Sequence, residues 1–285
     1  MTCAFRVALL AFALSGSTAC SGAALIPGAP APVDASGAAG APAAGTAGTS
    51  LESGGTGGQG GATLIDYARW ELQLPIGPTN SPTTVSAAEL LAGFSDDYFY
   101  PAADGGQVFA DPETGTTTSG SQHCRSEMRE LAADGAAAAW ASSGHHRLTV
   151  SGQVLQVGGG SSGLVTVGQL FNGTDSIPLL ELQYSSKKAG FQLLYEEAKG
   201  AGSTVDLATP VPLNTRYRFT LSLAEGAASV TINDQPVFTR APSAAVLTKT
   251  FYFKFGAYDQ TSSSGSPSRA PYTVVEVDSA DVVHD

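Results

Sequence analysis

Residues 251–260 carry four polar side chains whose spacing suits recognition of an anionic ring. In an extended strand, successive side chains point to opposite faces. Tyr252, Lys254, Tyr258 and Gln260 then share one face, and three phenylalanines with an alanine share the other. A strand face that contacts only solvent does not require a cation, two phenols and an amide together. The pattern predicts a surface that binds a polar, anionic, ring-shaped ligand.

Residues 122–130 form a second polar strand, which contains two arginines. Alternation places His123, Arg125, Glu127 and Arg129 on one face and the intervening residues toward the core. A planar guanidinium binds a carboxylate through two parallel hydrogen bonds, so this face suits a carboxylate ligand, with Glu127 holding the arginines in place. A cross-strand ladder of salt bridges explains the same pattern without any ligand.

Residues 164–172 indicate a third strand, in which Gln169 and Phe171 share a face. Taken alone, this pair is typical of an exposed polar residue near a strand end. The segment becomes informative only through its position between the two polar strands described above.

The three segments together match a known order of motifs. The chain has Arg-Ser-Glu-Met-Arg from Arg125, Gln-Leu-Phe from Gln169, and Tyr-Phe-Lys-Phe-Gly-Ala-Tyr-Asp-Gln from Tyr252. This order resembles the family 7 polysaccharide lyases, the alginate lyases. That family reads R-[ST]-E-x-R, Q-[IV]-H and Y-F-K-x-G-x-Y-x-Q in the same order. The resemblance extends from Leu64 to the C-terminus.

The resemblance implies an all-β jelly-roll sandwich of two antiparallel sheets, with a substrate cleft on the concave face. The implied reaction is β-elimination at a 4-linked uronate, which leaves an unsaturated sugar at the new non-reducing end. An arginine and an amide that bind the C5 carboxylate stabilise the enolate that develops as H5 leaves. A base removes H5, and an acid protonates the departing O4. No metal and no cofactor is expected.

The resemblance also implies a role for each polar residue. Arg125 or Arg129 neutralises the carboxylate together with Gln169. Tyr258 is the acid and can also be the base, because a phenol beside Arg or Lys can titrate below its usual pKa of ~10. The other site residues are expected to bind substrate: Glu127, Lys254, Gln260, Tyr252 and Phe171.

One position departs from the family pattern, because Phe171 stands where the second motif has histidine. A phenyl ring cannot accept a proton, and three alternatives follow. In the first, Tyr258 is both base and acid, which suits mannuronate or glucuronate because H5 and O4 lie on the same side of the ring. In the second, His123 substitutes as a catalytic residue. In the third, the site has lost activity and binds sugar, with Phe171 as a stacking platform.

These residues predict a lyase for a 4-linked polyuronate, with alginate as substrate and polymannuronate as the preferred form. Glucuronan or another uronan is the alternative substrate. A non-catalytic polysaccharide-binding protein of the same fold is the alternative from another class.

The formal net charge of −11, from 14 basic and 25 acidic residues, argues against nucleic-acid binding. An acidic protein can still bind an anionic polysaccharide if its cations gather in one cleft. We expect a monomer.

The composition of the first 62 residues predicts an export signal followed by a flexible linker. The apolar run after Arg6 is too short to span a bilayer as a mature helix. Ala19-Cys20 resembles a bacterial lipoprotein processing site, which predicts a signal over residues 1–20, lipid on Cys20 and an outer-membrane location. A plain signal for a secreted or periplasmic protein is the alternative. Residues 21–62 are rich in Gly, Ala, Pro and Ser and read as a flexible linker.

Residues 63–285 are expected to form one domain. Cys124 is its only cysteine, so no intramolecular disulfide can form there. Ser86 begins a Ser-Ala-Ala-Glu capping box, which predicts one short helix. His145 and His146 are expected to be an exposed loop pair before a strand.

Alternating segments without intervening helices predict an antiparallel sandwich. The predicted strands are residues 147–154, 164–171, 179–185, 190–197, 217–223, 228–232, 251–260 and 272–277.

Overall fold

The computed structural model of the protein describes residues 64–159, 162–268 and 272–285. The predicted signal, the linker and the lipid site at Cys20 lie outside these residues. The first strands are β1 (Leu64–Ile65), β2 (Trp70–Gln73), β3 (Thr84–Val85), β4 (Phe99–Pro101), β5 (Gln107–Pro112), β6 (Thr114–Gly115), β7 (Ser126–Glu130), β8 (Trp140–Ala141), β9 (His145–Gln156) and β10 (Leu164–Asn172). The remaining strands are β11 (Ile177–Ser185), β12 (Gly190–Tyr195), β13 (Ser203–Pro210), β14 (Tyr217–Ala224), β15 (Ala227–Ile232), β16 (Gln235–Arg240), β17 (Thr250–Asp259), β18 (Ser263–Ser264) and β19 (Tyr272–His284). One α-helix, α1 (Ala87–Leu91), and two 3-10 helices, Tyr67–Arg69 and Val246–Thr248, complete the described elements.

Most of these strands belong to two large sheets. The eight-stranded sheet has the order β16-β15-β14-β9-β19-β5-β4, with β1 beside β19. The nine-stranded sheet has the order β13-β12-β11-β10-β17-β7-β2-β3, with β8 beside β17. Strands β6 and β18 form a separate parallel pair, and β1 also runs parallel to β19. The other pairs are antiparallel, so the predicted sandwich of antiparallel sheets is confirmed.

The hydrophobic core joins the two large sheets. Phe255 of β17 contacts Trp70 of its own sheet and Phe109 of the other, with ring centroids 4.7 and 5.7 Å apart. Both contacts are edge-to-face, the arrangement that aromatic rings prefer. All four apolar residues of β17 that alternation assigns to the core are fully buried. The side chains between them therefore point to the opposite face of the nine-stranded sheet.

Helix α1 begins as the sequence predicts. The Ser86 hydroxyl accepts a hydrogen bond from the Glu89 amide, and the Glu89 carboxylate accepts one from the Ser86 amide, which completes the capping box. Among the described residues, no helix has the length and apolar character needed to cross a membrane.

Several strands outside the predicted set have weak alternation. Strands β13 and β16 lie at sheet edges and expose most of their residues, so few apolar positions mark them. Strand β5 is buried along its whole length, and a strand buried on both faces lacks the polar alternation of a half-buried one. Strand β19 continues to His284, beyond the predicted end at residue 277.

Residues 145 and 146 do not form the expected exposed loop pair, because both lie in a strand and only His145 is exposed. Both histidines belong to β9, and His146 is buried with its ring stacked on Trp140 at a centroid distance of 4.1 Å. Nδ1 of His146 contacts Nδ1 of His284 at 2.8 Å, and His284 also pairs with the buried carboxylate of Glu130. Since Glu130 lies in β7 and His284 in β19, these contacts connect the two large sheets.

Candidate active site

A polar cleft of about 360 Å³ lies on the nine-stranded sheet, on the face opposite the core. Strands β7, β10, β11 and β17 supply most of its walls, because their polar residues alternate with core residues. The cleft is lined by Gln73, Thr118, Gly120, Ser121, Arg125, Arg129, Gln169, Phe171, Ser176, Pro178, Glu181, Tyr252, Lys254 and Tyr258. The three predicted polar strands thus converge on one site.

A single buried carboxylate, that of Glu127, organises the floor of the cleft. It accepts hydrogen bonds from Arg125 Nη1 at 3.1 Å and Lys254 Nζ at 3.3 Å. Its other oxygen accepts a short hydrogen bond from the amide of Gln169. Burial would raise the pKa of Glu127, but the Lys254 and Arg125 charges outweigh burial, and the pKa falls below the ordinary 4.5. Glu127 itself lies beneath the residues that line the cleft.

Strand register explains why these groups meet. Lys254 pairs with Gln169 of β10 on one side and with Arg129 of β7 on the other. Gly256 pairs with Glu127 and has a φ of +141°, a conformation that disfavours any side chain. A Cβ atom at Gly256 would stand 2.6 Å from the carbonyl oxygen of Ser126. Glycine therefore permits the close approach of β17 to β7.

Tyr258 is held at one end of the cleft with its hydroxyl fixed. The Arg125 guanidinium lies 3.7 Å from the centre of the Tyr258 ring, within the range of a cation–π contact. The Ser121 hydroxyl is 3.0 Å from the Tyr258 hydroxyl and also donates to the carbonyl of His123. Either hydroxyl can donate in their contact, which fixes the position of the Tyr258 oxygen.

The predicted lowering of the Tyr258 pKa is wrong for the protein without ligand. Burial raises the pKa of Tyr258 above 10, and the opposing charge of Arg125 does not outweigh burial. Burial likewise lowers the pKa of Lys254 below its ordinary value, although Glu127 opposes this. Both shifts have one cause, because a low-dielectric site disfavours the charged form of either group.

The opposite end of the cleft is aromatic and cationic. The Phe171 and Tyr252 rings lie 5.1 Å apart, and Lys254 Nζ is 4.8 Å from the centre of the Phe171 ring. Arg129 lies 4.2 Å over the Tyr252 ring and pairs with Glu71 at 3.2 Å. Glu127 therefore holds Arg125 in place, whereas Glu71 holds Arg129.

Besides Glu127, which lies beneath the lining residues, two predicted site residues do not line the cleft. His123 turns its Nδ1 to the carbonyl of Ser262, and its ring centroid lies 6.2 Å from that of Tyr258. Gln260 donates to the Thr166 hydroxyl at 3.1 Å and to the carbonyl of Tyr258 at 3.3 Å. Gln260 thereby fixes the backbone that carries the tyrosine.

Glu181 is a lining residue that the sequence did not single out. It pairs in register with Gln169, and its side chain is buried. Oε2 accepts hydrogen bonds from Gln183 at 2.9 Å and from the Thr166 hydroxyl at 3.4 Å. Burial raises the pKa of Glu181 to about 7. Its position at the centre of the alternating segment 179–185 was the only available signal.

A buried carboxyl pair anchors the chain directly after Tyr258. Asp259 accepts hydrogen bonds from the Thr261 amide at 2.7 Å and the Thr273 hydroxyl at 2.6 Å. Its own amide donates to Asp111 Oδ2 at 2.9 Å. Complete burial raises the pKa of Asp111 well above 3.8. These bonds limit the freedom of the turn that positions the tyrosine.

The chain matches a known protein family over most of its length. The family model described as alginate lyase matches residues 65–284. The chain belongs to the family 7 alginate lyases. It is therefore a polysaccharide lyase, and the two sheets form the jelly roll of that family. Among curated protein sequences, none matches the chain.

Solved structures of alginate lyases resemble this one over most of the chain. Alginate lyase PA1167 from Pseudomonas aeruginosa is 25% identical, with a TM-score of 0.69, over 77% of this chain and 100% of its own. Alginate lyase A1-II′, a member of polysaccharide lyase family 7, is 29% identical, with a TM-score of 0.67, over 77% of this chain and 96% of its own. A variant of A1-II′ has been solved in complex with product (GGG), and another with substrate (GGMG).

Proposed function

We propose that this lyase cleaves alginate by β-elimination and prefers polymannuronate. The observation that carries the proposal is the meeting of Arg125, Gln169 and Tyr258 in one cleft of the alginate lyase fold. An acidic protein needs concentrated positive charge to bind a polyanion, and the cleft supplies it through Arg125, Arg129 and Lys254.

Arg125 and Gln169 are suited to hold the C5 carboxylate. Among the described residues, Arg125 donates only through Nη1, and its buried Nε has no partner. Gln169 gives one amide proton to Glu127, which leaves the other for a ligand. A carboxylate bound to these donors carries less negative charge, so the enolate that follows loss of H5 is stabilised. Glu127 fixes both donors before the substrate arrives.

Tyr258 is suited to take H5 as a phenolate and to pass that proton to O4 on a mannuronate residue. Its raised pKa keeps the phenol protonated near neutral pH, which suits donation to the departing O4. The same raised pKa makes the small fraction of phenolate a strong base for H5. One residue can serve in both steps where H5 and O4 lie on the same side of the ring. His123 receives no proton-transfer role in this proposal, because it does not line the cleft.

The aromatic end of the cleft is suited to bind sugar rings, from the reacting residue beside Gln169 and Phe171 to its neighbour at Tyr252. The Phe171 and Tyr252 rings offer apolar faces, while Lys254 and Arg129 offer charge to a second carboxylate. The same end would suit a sugar-binding protein without activity, which is the alternative function from another class.

Product formation on a panel of uronans tests the proposal. Polymannuronate, polyguluronate, glucuronan and pectate are incubated separately with the protein, and unsaturated product is followed by its ultraviolet absorbance. We expect polymannuronate to react fastest, because its geometry allows Tyr258 to act twice. Fastest cleavage of glucuronan would reassign the substrate. Binding without product on every uronan would overturn the reaction and favour the binding protein.

Replacement of Phe171 by histidine is expected to raise the rate on polyguluronate by about tenfold. This is less than the roughly 10²–10⁴-fold of general base catalysis, because the buried carboxylate of Glu181 already lines the cleft. An imidazole titrates near neutral pH and can accept H5 where the phenyl ring cannot. Initial rates on polyguluronate and polymannuronate provide the measurement. Phe171→Leu is the control, because it removes the ring without adding a base. Equal polyguluronate rates for the two variants would show that residue 171 does not face H5.

A further inference from the structure

The cleft contains one carboxylate that the mechanism above does not use. Glu181 is only 7% exposed, yet it lines the cleft beside Gln169. Both of its hydrogen bonds, from Gln183 and Thr166, go to Oε2. The described residues offer no hydrogen-bond partner to Oε1. Oε2 therefore holds the carboxylate in place, and Oε1 can accept a hydrogen bond or a proton from a ligand in the cleft.

The other buried carboxylate at the cleft floor, that of Glu127, is less able to accept a proton. The Glu127 carboxylate already accepts hydrogen bonds from Arg125, Lys254 and Gln169. These donors lower its pKa in spite of burial, so Glu127 is a weak base. Burial, with a smaller contribution from Glu127, raises the pKa of Glu181 to about 7, although Arg125 and Lys254 oppose the rise. Glu181 is therefore the stronger carboxylate base of the two.

Strand order places Glu181 and Tyr258 on opposite sides of the carboxylate-binding amide. Glu181 belongs to β11 and Tyr258 to β17, and β10 lies between these strands. Gln169 pairs with Glu181, and Thr166 of the same strand pairs with Tyr258. A uronate whose carboxylate is held by Gln169 then has a carboxylate base on one flank and a phenol acid on the other.

We propose that Glu181 is the catalytic base for guluronate residues, a role that rests on the function proposed above. In guluronate, H5 and O4 lie on opposite sides of the ring, so one tyrosine cannot serve both. Glu181 takes H5 as a proton, and the C5–H electron pair forms the C4=C5 double bond. The C4–O4 bond breaks, and O4 receives the Tyr258 proton. Solvent then reprotonates Tyr258 and removes the proton from Glu181, so the net change is transfer of hydrogen from C5 to O4.

Glu181→Gln tests this role, because the amide is the same size and can still accept from Gln183 and Thr166. We expect kcat on polyguluronate to fall by about 10²-fold or more, in the range of general base catalysis. We expect kcat on polymannuronate to fall by less than about tenfold, because Tyr258 acts alone there. In the wild type, polyguluronate cleavage should rise with pH as Glu181 loses its proton, and this limb should be missing from the variant's profile.

Two further variants separate a base from a structural group. Glu181→Asp keeps the carboxylate and should retain more polyguluronate activity than Glu181→Gln. Adding Phe171→His to Glu181→Gln supplies a new base and should restore polyguluronate cleavage. Asp206→Asn is the control for loss of an acidic charge, since Asp206 is exposed in β13 and pairs with Lys188 outside the cleft.

The outcomes distinguish this inference from the proposed function. Equal large losses on both substrates in Glu181→Gln would overturn the guluronate-specific role of Glu181 and also the claim that Tyr258 acts alone on polymannuronate. No loss on polyguluronate would overturn the role of Glu181 and leave the polymannuronate mechanism intact. A wild type that cleaves polymannuronate but not polyguluronate would do the same. A wild type that yields no unsaturated product from any uronan would overturn the proposed function and the Glu181 role with it.

Discussion

Tyr258→Phe is expected to lower kcat on polymannuronate by about 10³-fold or more, because this substrate depends on Tyr258 for both proton transfers. Binding should change by less than about threefold. The phenylalanine ring keeps its place beneath Arg125, and among the described residues the hydrogen bond to the Ser121 hydroxyl is the only one removed. Unsaturated product measures turnover, and calorimetry with mannuronate oligosaccharides measures binding.

Tyr252→Phe is the matched control for this experiment. Tyr252 lies on the same face of β17, lines the same cleft, and also has a pKa raised by burial. It has no proton-transfer role in the proposal, so we expect a loss of less than about tenfold. If Tyr258→Phe kept more than a tenth of the wild-type activity, the acid–base role of Tyr258 would be wrong. A large loss in both variants would indicate a general requirement for the cleft phenols.

Glu127→Gln is expected to lower the free energy of unfolding by about 3–5 kcal/mol and to remove most activity. Glu127 is 2% exposed and compensates the buried charges of Arg125 and Lys254. A neutral amide leaves both cations without a counter-charge and loosens the donors that hold the substrate carboxylate. Urea unfolding measures the stability, and initial rates on polymannuronate measure the activity.

The pH dependence of stability follows from the same carboxylate. The pKa of Glu127 in the folded protein lies below its ordinary 4.5, so its contribution is complete above pH 4.5 and is lost as the pH falls through the folded value. Glu71→Gln is the control, because Glu71 and Arg129 are both about 30% exposed and such pairs contribute about 0–1 kcal/mol. Similar losses of stability in the two variants would contradict the special role of the buried carboxylate.

The sequence predicts the cleft well where strand alternation alone decides the outcome. The apolar residues of β17 lie in the core, and Tyr252, Lys254 and Tyr258 lie in the cleft. The two-residue period of a strand assigns its side chains to faces without knowledge of the neighbouring strands. The same rule places Arg125 and Arg129 in the cleft. Alternating segments predicted the antiparallel sandwich, and the resemblance to the alginate lyases implied the jelly roll and the cleft that position them.

Features that depend on contacts between distant residues could not be predicted in this way. Glu181 looks like any acidic residue on a strand until its register with Gln169 is known. The role of Glu127 depends on Lys254, which lies on a neighbouring strand and is distant in sequence. Burial determines the Tyr258 pKa, and burial is a property of the assembled sheets. The buried contact of His146 with His284 joins residues far apart in sequence.

The place of β17 in the nine-stranded sheet has a consequence for the order of events during synthesis. Strand β17 is one of the last elements of the chain, yet it lies between β10 and β7, which are made much earlier. Neither its pairing with them nor the meeting of Arg125, Gln169 and Tyr258 can occur before the C-terminal part has emerged. Such long-range pairing slows folding. The protein can therefore become active only when the whole sandwich has formed. An N-terminal fragment that ends before β17 cannot contain an assembled site.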